Sequence, residues 1–163
     1  MVRYITIFLF SLITLINCQT TNTPLKKYNH TNNLIYIDVV EKKINKGFSP
    51  ESIYFLKTQK SLIKWLDSNI KTNGFEGFVE IKILDIITKE NITDKNVIIK
   101  ISAKIELLIS KPTLDSKKII LIEGQEYGQL NGDFTLNDKY ILIDNIIKQL
   151  IEKFSEKISS ELN

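Results

Sequence analysis

The chain has 163 residues, a formal net charge of +3, 43% hydrophobic residues and 25% charged residues, a balance that suits one folded domain with a short leader and excludes a disordered chain. The basic excess is mild and almost all lysine, Arg3 being the only arginine; lysine lacks the planar fork that reads guanine or phosphate in two bonds, so nucleic acid is not an expected partner. A single cysteine, Cys18, and a single histidine, His30, exclude an intrachain disulfide and a cysteine-built zinc site, and leave no material for a Ser-His-Asp triad in the domain, so neither metal, cofactor nor enzymatic activity is expected.

Arg3 gives the N-terminus a positive charge, and Tyr4 to Ile16 follows without a charge. A spanning helix needs roughly 20 apolar residues; this run is shorter and matches the apolar segment of a secretory signal peptide. It ends at Leu15-Ile16-Asn17-Cys18, which resembles a bacterial lipobox, with an aliphatic residue three positions before the cysteine. Asn17 departs from the Gly, Ala or Ser of that pattern. The resemblance implies a signal peptide over residues 1–17, cleavage before Cys18 and acyl chains on that cysteine, more than the two signals that stable anchoring requires. Residues 19–33 are polar, lack a hydrophobic period and are expected to be a tether. At 5–6 Å times the square root of its length, such a tether reaches about 20 Å, so whatever the domain meets lies at the membrane surface.

The domain is expected over 34–163. Leu34 to Val40 is short, apolar and β-branched, and predicts a strand. Ser49-Pro50-Glu51 predicts a helix start, with Ser49 as cap, Pro50 at the first helical position and Glu51 at the positive end of the dipole. Ile53, Leu56, Ile63, Leu66 and Ile70 predict its apolar stripe, and Asn73-Gly74 its end. Val79, Ile81 and Ile83 alternate with Glu80 and Lys82. Val97 to Leu107 alternates for eleven residues, with Ile101 and Ile105 on the buried face and Lys100 and Lys104 opposite. Thr88 to Asn96 is polar and predicts a loop joining these two strands. A turn at Lys111-Pro112 leads to a strand over Lys117 to Gln129, in which Gly124 and Gly128 predict a bulge or a fraying end. A long helix then runs to about Leu162, its stripe formed by Ile143, Ile146, Ile147, Leu150, Ile151, Phe154, Ile158 and Leu162. Phe55, Trp65, Phe75, Phe78 and Phe154 are expected in the core; Tyr127, Phe134 and Tyr140 cluster around the last turn and are expected in the core too, with an exposed contact patch as the alternative.

The order strand, helix, three strands, helix predicts an α+β two-layer sandwich, with a four-stranded, mostly antiparallel sheet and two helices on one face. The other face would carry Glu80, Lys82, Lys100, Ser102, Lys104 and Glu106. A solvated mixed-charge face accounts for these residues. A contact surface for an anionic lipid or a partner protein, through Lys82, Lys100 and Lys104 and assisted by paired lysines at 26–27 and 42–43, is the functional alternative.

The lipobox, the polar tether and one βαβββα domain together resemble the LptE-like family of lipopolysaccharide-assembly lipoproteins. The resemblance implies a lipid-anchored protein on the periplasmic face of the outer membrane. It would bind an outer-membrane β-barrel and assist lipopolysaccharide insertion, by binding and not by chemistry. Because it rests on element order and the lipobox, it carries over no binding residue. Penicillin-binding-protein activators and auxiliary lipoproteins of ABC lipid-transport systems are similar at this level.

Overall fold

The structure is a computed structural model, and it describes residues 34–45, 47, 52–93 and 95–162. The leader, Cys18, the tether and Ser49 to Glu51 lie outside the described residues. Six strands and two long helices follow in order: β1 (Ile35–Ile37), β2 (Glu41–Asn45), α1 (Ile53–Asn69), β3 (Ile70–Thr72), β4 (Phe78–Thr93), β5 (Asn96–Lys111), β6 (Ser116–Asn131) and α2 (Leu136–Leu162). The main sheet has the order β2-β4-β5-β6, with β2 parallel to β4 and the other two pairings antiparallel. Both helices cover one face, so the predicted α+β two-layer architecture is the observed one. The core joins Ile81, Ile83, Ile99, Ile101, Ile105 and Ile122 of the sheet to Leu62 and Leu66 of α1 and to Ile146, Leu150 and Phe154 of α2.

The first strand differs from its prediction. The run Leu34 to Val40 breaks after Ile37, and β1 pairs parallel with β3 in a separate two-stranded sheet. The edge position in the main sheet is taken by Glu41–Asn45, whose mixed polarity hid it. Lys42 of this strand turns to the helix side. Its ammonium donates to the carbonyls of Asp67 (2.8 Å) and Ile70 (2.9 Å), partners the end of a helix otherwise lacks.

Helix α1 is capped by Ser52, whose hydroxyl accepts from the Phe55 amide at 3.1 Å, three residues beyond the expected cap. Its buried residues are Phe55, Thr58, Gln59, Leu62, Trp65 and Leu66. Ile53 is exposed, and Leu56 and Ile63 are half-buried. The helix is apolar on several sides, so spacing alone placed the stripe about one position out of phase. It ends at Asn69, and Ile70 enters β3. Gly74 is therefore not a helix cap. It lies against the backbone of Val39, and an added Cβ would fall 2.5 Å from the Val39 nitrogen.

Strands β4 and β5 stay paired to Thr93 and Asn96 and are joined through residues 94 and 95. The expected loop from Thr88 is strand. Two of its polar residues turn to the helix side and have partners there: the Thr88 hydroxyl is 3.4 Å from that of Ser52, and Glu90 accepts from Lys139 at 2.8 Å. Strand β6 pairs with β5 from Ser116 to Asn131 without a register shift, so its glycines mark neither a bulge nor a frayed end. They face α2. A Cβ on Gly124 would lie 2.7 Å from Phe154 Cε1, and one on Gly128 would lie 2.5 Å from Leu142 Cδ1. The glycines let the helix approach the strand closely.

Helix α2 begins with a reciprocal cap. The Thr135 hydroxyl accepts from the Asp138 amide (3.2 Å), and the Asp138 carboxylate accepts from the Thr135 amide (2.8 Å) and hydroxyl (2.7 Å). These bonds, the backbone one first, hold the Asp138 carboxyl below its ordinary range. Lys153 and Lys157 reach over the free edge of β6 to donate to the carbonyls of Gln125 and Glu123. Phe55, Trp65 and Phe154 are in the core as expected, but Phe75 is fully exposed and Phe78 partly so.

Candidate functional site on the open sheet face

The face of the main sheet turned away from the helices is the surface on which the sequence placed Lys82, Lys100 and Lys104. Ile101 and Ile105 are fully buried, and the three lysines lie on the opposite face. One irregularity sets what they meet. Ile83 pairs with Ile105 and Asp85 with Lys104, leaving Leu84 as an extra residue. This bulge shifts the alternation by one. Ile86 stays in the core, and Asp85, Ile87 and Lys89 come to the open face. Without it, Asp85 would point under the helices as an unpaired buried charge.

The register divides the open face of β4 to β6 into two electrically different blocks. In the first, Lys82 pairs with Glu80 (3.3 Å) and with Glu106 across the strand (3.8 Å). Lys104 pairs with Glu123, its register partner on β6. This hydrogen bond, and then the lysine's charge, hold the Glu123 carboxyl below its ordinary range. With Asp85 opposite Lys104, this block sets two lysines against four carboxylates. It also holds an open depression of about 390 Å³, lined by Asp85, Ser102, Lys104, Glu123 and Gln125 among others. Ile119 and Leu121 leave apolar surface at its far end.

The second block lies toward the β4–β5 turn. Lys89, Lys100 and Tyr127 form one row across β4, β5 and β6. The adjoining rows are Ile87, Ser102 and Gln125 on one side and Asn91, Ile98 and Gln129 on the other. No carboxylate belongs to these three rows. The block therefore carries two positive charges and several neutral hydrogen-bonding groups.

The three expected lysines are on one face, but they are not one field. Lys82 and Lys104 already have carboxylate partners, and Lys100 faces another lysine, Lys89, which the sequence reading left inside a loop. Of the paired lysines expected to add to the field, Lys42 is tied to α1, and 26–27 lie outside the described residues. Tyr127, 68% exposed, stands on the open face and not in the core. Phe134 and Tyr140 are half-buried on the helix side, beside Lys139 (5.5 Å) and Lys57 (5.3 Å). Periodicity could have reached Lys89 only if the step of three from Ile83 to Ile86 had been taken as a bulge.

Among the described residues, no group of three His, Cys, Asp or Glu is placed to hold a metal ion, and no helix is long and apolar enough to cross a membrane. The sequence matches no protein-family model and no curated protein. Solved structures do match the fold. Lipoprotein B from Nitrosomonas europaea is 11% identical with a TM-score of 0.52, over 82% of this chain and 90% of that one. A minor lipoprotein from Acinetobacter baumannii is 8% identical with a TM-score of 0.42, over 79% and 92%. Rare lipoprotein B from Shewanella oneidensis is 8% identical with a TM-score of 0.41, over 76% and 98%. At 11% identity, the likeness to the Nitrosomonas europaea protein shows a shared fold and nothing more.

Proposed function

We propose that this chain is a lipid-anchored lipoprotein of the bacterial envelope, held on the periplasmic face of the outer membrane. It acts there as a binding and assembly subunit that assists lipopolysaccharide insertion beside an outer-membrane β-barrel. One combination carries the reading: a lipobox ending at Cys18 precedes a domain with the fold of lipoprotein B from Nitrosomonas europaea. The open sheet face is the proposed working surface, with Lys82, Lys100 and Lys104 as contacts to an anionic lipid or to the barrel. A sheet with one face free of helices offers a broad platform of exposed side chains, which suits docking.

The test is a pull-down of the full chain from detergent-solubilised membranes. Stable co-purification with a lipopolysaccharide-inserting barrel is the expected result, and depletion of the chain should leave that barrel unstable. Recovery with an inner-membrane transport complex or a cell-wall synthase, and no barrel, would overturn the reading.

A further inference from the structure

The row Lys89–Lys100–Tyr127 has no structural explanation of its own. Like charges directly opposite on adjacent strands destabilise a sheet, and the Cβ atoms of such a pair lie about 4.5–5.5 Å apart. Toward the middle of this face the protein sets lysines beside carboxylates: Lys82 has Glu80 and Glu106, and Lys104 has Glu123. At Lys89 and Lys100 no such partner is present, and the acidic residues next in sequence point the other way. Glu90 is on the helix side with Lys139, and Glu126 is there with Lys153.

The surroundings are donor-rich. Ser102 and Gln125 stand on one side of the row and Asn91 and Gln129 on the other. Tyr127 closes it at the sheet edge with an exposed ring and hydroxyl, and Ile87 and Ile98 add exposed apolar shoulders. Ser102 and Gln125 also line the open depression of about 390 Å³, whose Asp85 and Glu123 carboxylates can accept from hydroxyl groups.

We propose that Lys89 and Lys100 together bind the phosphate monoester of a hydroxyl-bearing ligand, a sugar phosphate in chemical class, whose hydroxylated part lies toward the depression at Ser102 and Gln125. A monoester is nearly dianionic at neutral pH, so a single group neutralises both ammonium charges. A carboxylate or a phosphodiester carries one charge and leaves one lysine uncompensated. The ammonium groups act as point donors to phosphate oxygens, and the Tyr127 hydroxyl supplies a further donor. This inference rests on the open face being the working surface, but it is tested separately from the barrel. Phosphate binding without barrel co-purification would sink the earlier reading alone.

The experiment uses the full, isotope-labelled chain in non-ionic detergent and follows backbone amide shifts. The probes are glucose 1-phosphate as a free monoester, dihexanoyl phosphatidic acid in the micelle as a lipid-borne monoester, and dimethyl phosphate as a diester, all at constant ionic strength. Saturable shifts centred on Lys89, Lys100 and Tyr127 are expected with the free monoester. The diester should bind about fivefold more weakly, the upper range for loss of one exposed charge pair. Lys89→Gln and Lys100→Gln should each reproduce that loss and stay folded, since each relieves a like-charge contact, and Lys148→Gln, an exposed lysine of α2 on the other side of the sheet, should bind as the native chain does. Response to both monoesters would place the phosphate group at the centre of recognition, whereas response to phosphatidic acid alone, which has no free hydroxyl, would overturn the sugar-phosphate assignment. Equal binding of monoester and diester, equal loss in Lys148→Gln and Lys100→Gln, or no saturable shift with either monoester would overturn the proposal.

Discussion

Gly124→Ala tests how closely α2 presses on β6. A Cβ at this position would lie 2.7 Å from Phe154 Cε1 and 2.9 Å from Leu150 Cδ1. Ordinary carbon contacts are about 3.5–4.0 Å, so the ring or the helix must yield by roughly 1 Å. Phe154 is fully buried, which leaves the ring no empty space to enter. Overpacking of this kind costs about 1–3 kcal/mol. Alanine also reduces the freedom of the unfolded chain, worth about 0.4–1 kcal/mol in the opposite direction. The net expectation is a loss of about 1–2 kcal/mol. Urea unfolding of the full chain in non-ionic detergent should show a lower midpoint with an unchanged slope. Gly128→Ala should cost less, because its nearest atom at 2.5 Å is the end of a leucine, Leu142, which can change rotamer. Phe154→Leu should partly rescue Gly124→Ala, since residues that share one contact do not add. A Gly124→Ala chain as stable as the native one, or more so, would refute the close approach.

Ile101→Asp should destabilise by about 3–5 kcal/mol, because it leaves an unpaired charge under the helices, whereas Lys100→Asp should be neutral or mildly stabilising beside Lys89; equal losses in chemical denaturation would show the register to be wrong by one. Thr135→Ala should cost about 0.5–2 kcal/mol by removing the α2 cap. The Asp138 carboxyl is held below its ordinary range in the fold, so its contribution is present above that range and is lost as pH falls through it; Asp138→Asn should flatten that part of an acid titration of stability, and an unchanged acid limb would rule the cap out as its source. Cys18→Ala should move the chain from the membrane to the soluble fraction and abolish labelling by radioactive fatty acid; retention on membranes after a high-salt wash would mean an uncleaved N-terminal anchor.

Much of the architecture was legible because two segments are strongly periodic. Ile99, Ile101, Ala103, Ile105 and Leu107 alternate without a break, and Ile143, Ile146, Ile147, Leu150, Phe154 and Ile158 recur at helical spacing; all are buried. What could not be read depends on neighbours distant in sequence. The Gly124 and Gly128 signals were visible but ambiguous, because only the packing of α2 separates a bulge from a close approach. Strand β2 is too polar to stand out, and it forms because β4 offers an edge. The open sheet face was legible as a set of lysines and misjudged as a field. Their partners, Glu106 and Glu123, lie on other strands, and the bulge at Leu84 decides which β4 residues stand beside them. The same bulge brings Lys89 opposite Lys100, a juxtaposition that spacing along the chain does not contain.

The lysines that cross from α2 to the rim of β6 bear on aggregation. A sheet edge with free carbonyls and amides is a template for an intruding strand. Lys153 and Lys157 occupy the carbonyls of Gln125 and Glu123, so along that stretch a newcomer would first have to displace two ammonium groups. From Lys117 to Leu121 no such guard is present, and Ile119 and Leu121 are exposed beside it. On this side of the sheet, misassembly of crowded or partly unfolded chains should begin in those five residues, and a charge placed at Ile119 should suppress it without touching the core.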